Sequence, residues 1–163
     1  MENSIIINEL AKIIKGVDVL KDINLEFTGG NVYGLSGKNG CGKTMLMRAI
    51  CGLIKPTKGE IIINDKTLGK DMSFPESVGA LIENPAFLNN YSGFDNLRLL
   101  ADIKGIATDE EIRETMTKVG LNPDDPKKYR KYSLGMKQKL GIACAVMEKP
   151  DIVILDESIN AID

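Results

Sequence analysis

A chain of 163 residues is long enough to bury one ordinary hydrophobic core. Its 43% hydrophobic and 27% charged residues are the balance of a globular protein, and 21 Lys and Arg against 23 Asp and Glu leave a net charge of −2, which gives no reason to expect a general polyanion-binding surface. The chain has no histidine, which excludes any mechanism that needs an imidazole of its own.

The opening "MENSIIINEL" has no basic n-region and only a short Ile run, so it does not read as a signal peptide. Runs of about 18 apolar residues are absent, and no transmembrane helix is expected. Gly and Pro then divide the chain into short apolar runs. Residues 4–10 ("SIIINEL"), 23–27 ("INLEF") and 60–64 ("EIIIN") read as strands, the last followed by the turn-like "NDKTLGK". Residues 31–36 ("NVYGLS") read as a nearly buried strand running into glycines and a helix over 43–51, which Gly52 stops. Residues 77–82 ("SVGALI") read as another buried strand. Ser92-x-x-Asp95 and Thr108-x-x-Glu111 resemble helix-start boxes, predicting helices near 93–104 and 108–119. A further helix is expected over 134–148, with Leu140, Ala143, Cys144 and Met147 on one face. Residues 151–155 ("DIVIL") read as a fully buried strand. The class is α/β, with a helical insert of roughly residues 86–148. Cys41, Cys51 and Cys144 form no CxxC pair and read as reduced thiols of a cytosolic protein.

Two stretches carry chemistry. "GKNGCGKT" (37–44) fits G-x-x-x-x-G-K-[ST] between an expected strand and an expected helix. A chance match arises roughly once in a hundred chains of this length or less. Gly37, Gly40 and Gly42 let the backbone curl so that consecutive N–H groups point at phosphate oxygens, with Lys38, Asn39, Cys41 and Met45 completing the contact stretch. Lys43 would reach the β- and γ-phosphates, and the Thr44 hydroxyl would ligate Mg²⁺. "IVILDE" (152–157) ends an apolar strand in two acids. Ligands of a parallel sheet sit at the carboxyl ends of its strands, so Asp156 suits Mg²⁺ through water and Glu157 suits the water that attacks the γ-phosphate.

Between these two lies "YSLGMKQKLGIACAVMEKPDIVILDES", and here the whole chain resembles the ATP-binding subunits of ABC transporters. Their L-S-G-G-Q signature corresponds to "YSLGMKQKL": Ser133, Gly135 and Gln138 match, whereas Tyr132, Leu134 and Met136 depart from the general form. The variant looks like that of the bacitracin- and lantibiotic-export branch. The resemblance implies a P-loop NTPase nucleotide-binding domain with a mixed sheet core, an antiparallel β subdomain and a helical insert. It implies ATP and Mg²⁺ as ligands, and a head-to-tail dimer in which Ser133 (hydroxyl) and Gly135 (backbone) close over the γ-phosphate held by a second ATP-binding subunit. By the same resemblance, Glu83 stands where a Gln contacts Mg²⁺ or its water, and "PAFLNNYSGFDNL" resembles the segment that receives the permease. An aromatic that stacks on adenine falls near Ile14, where an aliphatic contact can cover the base but loses stacking. "SINAID" matches the loop ending in Asp163, with Ser158 where a Pro is common.

The family's domains continue past this loop with further strands and a switch histidine. Residues 1–163 therefore read as a partial, C-terminally incomplete domain, expected to bind MgATP and hydrolyse it poorly. The implied function is the ATPase subunit of an exporter of peptide antibiotics or similar, cytoplasmic and held to the inner face of the membrane by a separate membrane-spanning permease, with no nucleic-acid partner. A soluble ABC ATPase acting on ribosomes or DNA, and a regulatory or nonfunctional fragment, are the other readings.

Overall fold

The computed structural model describes residues 3–83 and 86–156. It forms two compact units that meet in the chain between Glu76 and Ser77.

The first unit is built on an antiparallel sheet in the order β2-β1-β3-β4, from β1 (Ser4–Ile14), β2 (Val17–Thr28), β3 (Lys58–Ile63) and β4 (Lys66–Thr67). β1 and β2 outrun the expected strands because Lys15 and Gly16, both at positive φ (50° and 78°), make a two-residue turn whose twist suits a hairpin. β1 pairs Ile5 with Phe27 on one side and Ile63 on the other. Ile7 and Leu10 are both fully buried although three apart, because a bulge at Asn8–Glu9 resets the alternation of faces. Leu20, Ile61 and Ile63 of the same sheet are buried as well, and each fully buried aliphatic of this size contributes about 1.5–3 kcal/mol. Helix α1 (Lys43–Ile50) buries Leu46, Ala49 and Ile50 and ends at Cys51, followed by Gly52 at φ 74°.

The strand expected at 31–36 does not form. These residues carry no regular secondary structure, and among the described strands none pairs with them. Their hydrogen bonds run back to the end of β2 instead. The Tyr33 hydroxyl accepts from the Thr28 N–H at 3.0 Å and lies 2.9 Å from Thr28 Oγ1, and Asn31 Nδ2 donates to Thr28 Oγ1 at 3.1 Å. The Tyr33 ring meets Phe27 edge-on at 4.9 Å. Local bonds of this kind compete with a ladder, and Val32 is left fully exposed.

The second unit pairs β5 (Val78–Leu81) with β6 (Ile152–Leu155) in parallel, Leu81 opposite Leu155. The expectation of two buried strands is corrected here. In β5 only Leu81 is buried, and in β6 Val153 and Leu155 stay 45% and 37% exposed while Ile154 is buried. Helix α4 (Leu134–Val146) packs on both strands from one side, so their residues alternate between covered and open. Gly79 is where α4 comes closest: a Cβ there would collide with the Ala145 carbonyl.

Helices α2 (Gly93–Lys104) and α3 (Asp109–Lys118) start at the two expected boxes. Ser92 Oγ accepts from the Asp95 N–H at 3.1 Å, and Thr108 Oγ1 accepts from the Glu111 N–H at 3.2 Å, with each acid reaching back to the cap's own N–H. Leu97, Ile112, Met116 and Leu140 form the fully buried centre of a core shared by α2, α3 and α4. A short 3₁₀ turn (Tyr129–Lys131) leads into α4, which ends at Val146, two residues short of the expected boundary.

Candidate functional site

Residues 37–44 belong to the first unit. Their curl is held from within: Lys43 Nζ donates to the carbonyls of Gly37 at 2.7 Å and Lys38 at 3.1 Å and lies 3.8 Å from Cys41 Sγ, while the Cys41 N–H donates to the Lys38 carbonyl at 3.2 Å. The ammonium group thus sits inside the loop, where its charge faces any anion that enters. Gly42 caps α1 in the left-handed region, at φ 98°, and supplies no side-chain cap; the first turn of α1 has no acidic residue. The first-turn amides of such a helix have no partner of their own within the helix, which makes it a natural seat for a phosphate. Only glycine fits at 42, because a Cβ there would lie 2.7 Å from the Val19 carbonyl oxygen and 2.9 Å from Leu20 Cδ2. Lys38, Asn39, Gly40 and Cys41 are exposed, whereas Thr44 and Met45 are half-buried on the first turn of α1.

Asp156, Glu83, Ser133 and Gly135 belong to the second unit. Asp156 is buried directly after β6 and donates its N–H to the Leu81 carbonyl at 2.8 Å. Glu83, two residues beyond β5, is exposed and at φ 64°, a conformation uncommon outside glycine. The parallel register therefore brings both acids to the carboxyl ends of neighbouring strands. Glu157, Ser158 and Asp163 lie outside the described residues.

Ser133 caps α4 with extended backbone (φ −65°, ψ 164°), and its Oγ accepts from the Met136 N–H at 3.2 Å. Its side chain is exposed, and Gly135 is half-buried in the first turn. Tyr132 beside it is buried, with its hydroxyl against the Gly93 backbone; burial pushes its phenol up. Gln138, one turn into α4, has its Oε1 buried without a hydrogen-bond partner among the described residues.

The donor set fits a nucleoside triphosphate: a lysine ammonium, a helix N-terminus and a threonine hydroxyl on one short segment. Among the described residues no three His, Cys, Asp or Glu side chains gather into a metal cage. Mg²⁺ does not require one, since it binds through one or two carboxylates, water and substrate phosphates. Two features of the loop are not legible in its motif: the inward fold of Lys43 onto its own carbonyls, and the seating of Gly42 on Val19.

Comparison with known proteins gives a consistent picture. Residues 20–160 match the family model described as "ABC transporter". The Bacillus subtilis ABC transporter ATP-binding protein YybJ is 53% identical over 154 residues, covering 94% of this chain and 71% of that protein. The bacitracin transport ATP-binding protein BcrA of Enterococcus faecalis is 38% identical over 164 residues, and there the chain spans 53% of the relative, about half its length. Among solved structures, the dimeric bacterial ABC transporter cassette MJ0796 superposes with a TM-score of 0.86 over 98% of this chain and 76% of its own, at 23% identity, which speaks for the fold.

Proposed function

The chain belongs to the ABC transporter family as an ATPase domain, and from that premise we propose that it serves as the ATP-binding subunit of an exporter for peptide antibiotics or similar compounds, driving a separate membrane-spanning permease. The observation that carries this reading is the loop of residues 37–44, curled around Lys43 Nζ and leading into a helix whose glycine cap leaves its N-terminus open to an anion. The choice of substrate class is supported by the 38% identity to a bacitracin transport protein. Among the described residues no helix is long and apolar enough to cross a membrane, so the transport path is assigned to the permease, which would hold the subunit at the inner face.

In this reading Lys43 turns from the Gly37 and Lys38 carbonyls to the β- and γ-phosphates, and the first-turn amides of α1 hold the remaining oxygens. Thr44, Asp156 and Glu83 would hold Mg²⁺, which would offset charge on the phosphates. Glu157 takes a proton from water as its oxygen bonds to the γ-phosphorus, and the bond to the β–γ bridging oxygen breaks, giving ADP and phosphate. Ser133 and Gly135 close over the γ-phosphate held by a second copy, head to tail, so two nucleotides join two subunits.

Calorimetric titration of the chain and its Lys43→Ala variant with MgATP tests the reading. Saturable binding that disappears in the variant is expected. Equal binding by both would remove the loop from its role.

A further inference from the structure

We propose that Asn39, followed by Gly40 in the phosphate loop, is a site of spontaneous covalent modification. Its side-chain amide is lost by ring closure onto the backbone, and the carboxylate left behind shuts the loop to nucleotide. Bound nucleotide in turn protects Asn39, a coupling that rests on the phosphate-loop reading above.

An asparagine Cγ lies within reach of the next backbone nitrogen, and joining the two closes a five-membered ring. A side chain on the next residue crowds that approach, and glycine has none. Asn39 is the one asparagine of the sequence followed by glycine, whereas Asn84 and Asn122 precede prolines, which have no N–H to give up.

The structure leaves this pair open to the reaction. Residues 38–41 form a turn, closed by the Cys41 N–H on the Lys38 carbonyl at 3.2 Å, with Gly40 at φ 81°. A turn with positive φ at its third position asks for glycine there. Asn39 and Gly40 are both exposed, and a Cβ at Gly40 would meet nothing within 4 Å, so the ring has room to form. Among the described residues no hydrogen bond holds the Asn39 amide or the Gly40 N–H. Other asparagines are pinned. Asn24 Oδ1 accepts from the Glu9 N–H at 2.8 Å, Asn64 Oδ1 from the Ser4 N–H at 2.9 Å, and the buried Asn96 Oδ1 from the Leu88 N–H at 2.7 Å.

The Gly40 nitrogen bonds to Asn39 Cγ, the Cγ–Nδ2 bond breaks, and Nδ2 leaves as ammonia with the proton that Gly40 gives up. Water then opens the cyclic imide at one of its two carbonyls. Attack at Cγ restores the ordinary chain with an aspartate at position 39. Attack at the backbone carbonyl leaves an isoaspartate, whose chain runs through the former side chain and is one methylene longer. Either product puts a negative charge where an uncharged amide stood, in a loop that would hold a triphosphate. The isoaspartate also moves the N–H groups of Gly40 and Cys41 out of their curl. A seated triphosphate acts in the opposite sense: hydrogen-bonded to its oxygens, the Gly40 nitrogen keeps its proton and cannot attack.

The test incubates the 163-residue chain at mildly alkaline pH, with and without MgATP. Conversion is followed by mass spectrometry of peptides, and binding by calorimetry. Position 39 is expected to convert faster than any other asparagine. MgATP at about ten times its Kd should slow that conversion by about tenfold, in proportion to the chain left unliganded. Converted chain should bind MgATP more than about tenfold more weakly than fresh chain. Asn39→Asp should reproduce the loss with the urea midpoint unchanged, because the residue is exposed. Asn39→Gln, whose ring would need six members, should keep its own affinity through the same incubation. Conversion at Asn39 no faster than at Asn31, converted chain that binds as tightly as fresh chain, or an undiminished rate at saturating MgATP would each overturn the proposal. Failure of the underlying reading looks different: Lys43→Ala then binds MgATP as the parent does, whatever happens at position 39.

Discussion

Gly42 and Gly40 stand two residues apart in the same loop, both at positive φ (98° and 81°), yet only Gly42 has neighbours. A Cβ at Gly40 meets nothing within 4 Å, whereas one at Gly42 meets the Val19 carbonyl at 2.7 Å. Gly40→Ala should therefore lose only what a Cβ at positive φ costs, about 1–2 kcal/mol by urea denaturation. Gly42→Ala should lose that and displace the start of α1 as well, for up to about 3 kcal/mol, with MgATP affinity falling more than about tenfold. Equal losses at the two sites would show that the Val19 contact is slack. The three thiols separate in a similar way. Burial pushes Cys51 up to about 11 and raises Cys144, while Cys41 is exposed on the loop. Because the thiolate is the reactive form, iodoacetamide at mildly alkaline pH should label Cys41 first and Cys51 only after denaturation, as read by mass spectrometry of peptides. A Cys51 adduct in the folded chain at a rate like that of Cys41 would contradict the packing of α1.

Between helices, the most pH-sensitive device is the start of α3. Glu111 is held down to about 2, chiefly by the Lys149 ammonium 2.7 Å away and further by the Thr108 N–H and hydroxyl, and Lys149 is raised in turn, first by its bond to Glu111. These are two views of one interaction. Glu111 favours folding above its ordinary 4.5, and that contribution is lost as pH falls through 4.5 toward about 2. Lys149 contributes below its ordinary 10.5, and that is lost as pH rises past 10.5 through its raised value. Melting temperatures of the parent and Lys149→Gln should differ most at neutral pH and converge at both extremes; a difference constant with pH would mean that the pair contributes packing rather than charge. Since Lys149 is exposed and Glu111 only half-buried, salt should also shrink the difference. The boxes at Ser92 and Thr108 were legible in the sequence because four consecutive residues contain the whole device. The strand expected at 31–36 was not, because a strand needs a partner, and Tyr33 and Asn31 bond back to Thr28. The openness of Val153 likewise depends on what covers β6, which an apolar run does not record.

At the scale of the whole molecule, the same distinction separates the candidate site's parts. The phosphate loop is local, so its residues could be named from one short motif, whereas the placing of Glu83 and Asp156 beyond adjacent strand ends depends on a register spanning some seventy residues. Ser133 is the case where a local role and a proposed distant role coincide: it caps α4 through Met136, and it is the hydroxyl that would meet the γ-phosphate on a second copy. Removing it by Ser133→Ala destroys both and separates nothing. Ser133→Asp separates them, because Asp caps a helix as well as Ser does but places a carboxylate against the triphosphate. That variant should unfold at the parent's urea midpoint and bind MgATP in its own loop unchanged. In sedimentation velocity the parent should shift toward a dimer when MgATP is added, and Ser133→Asp should stay a monomer. Should the variant associate as readily as the parent, Ser133 is a helix cap and nothing more; should neither associate, the second copy is not recruited by nucleotide in this chain.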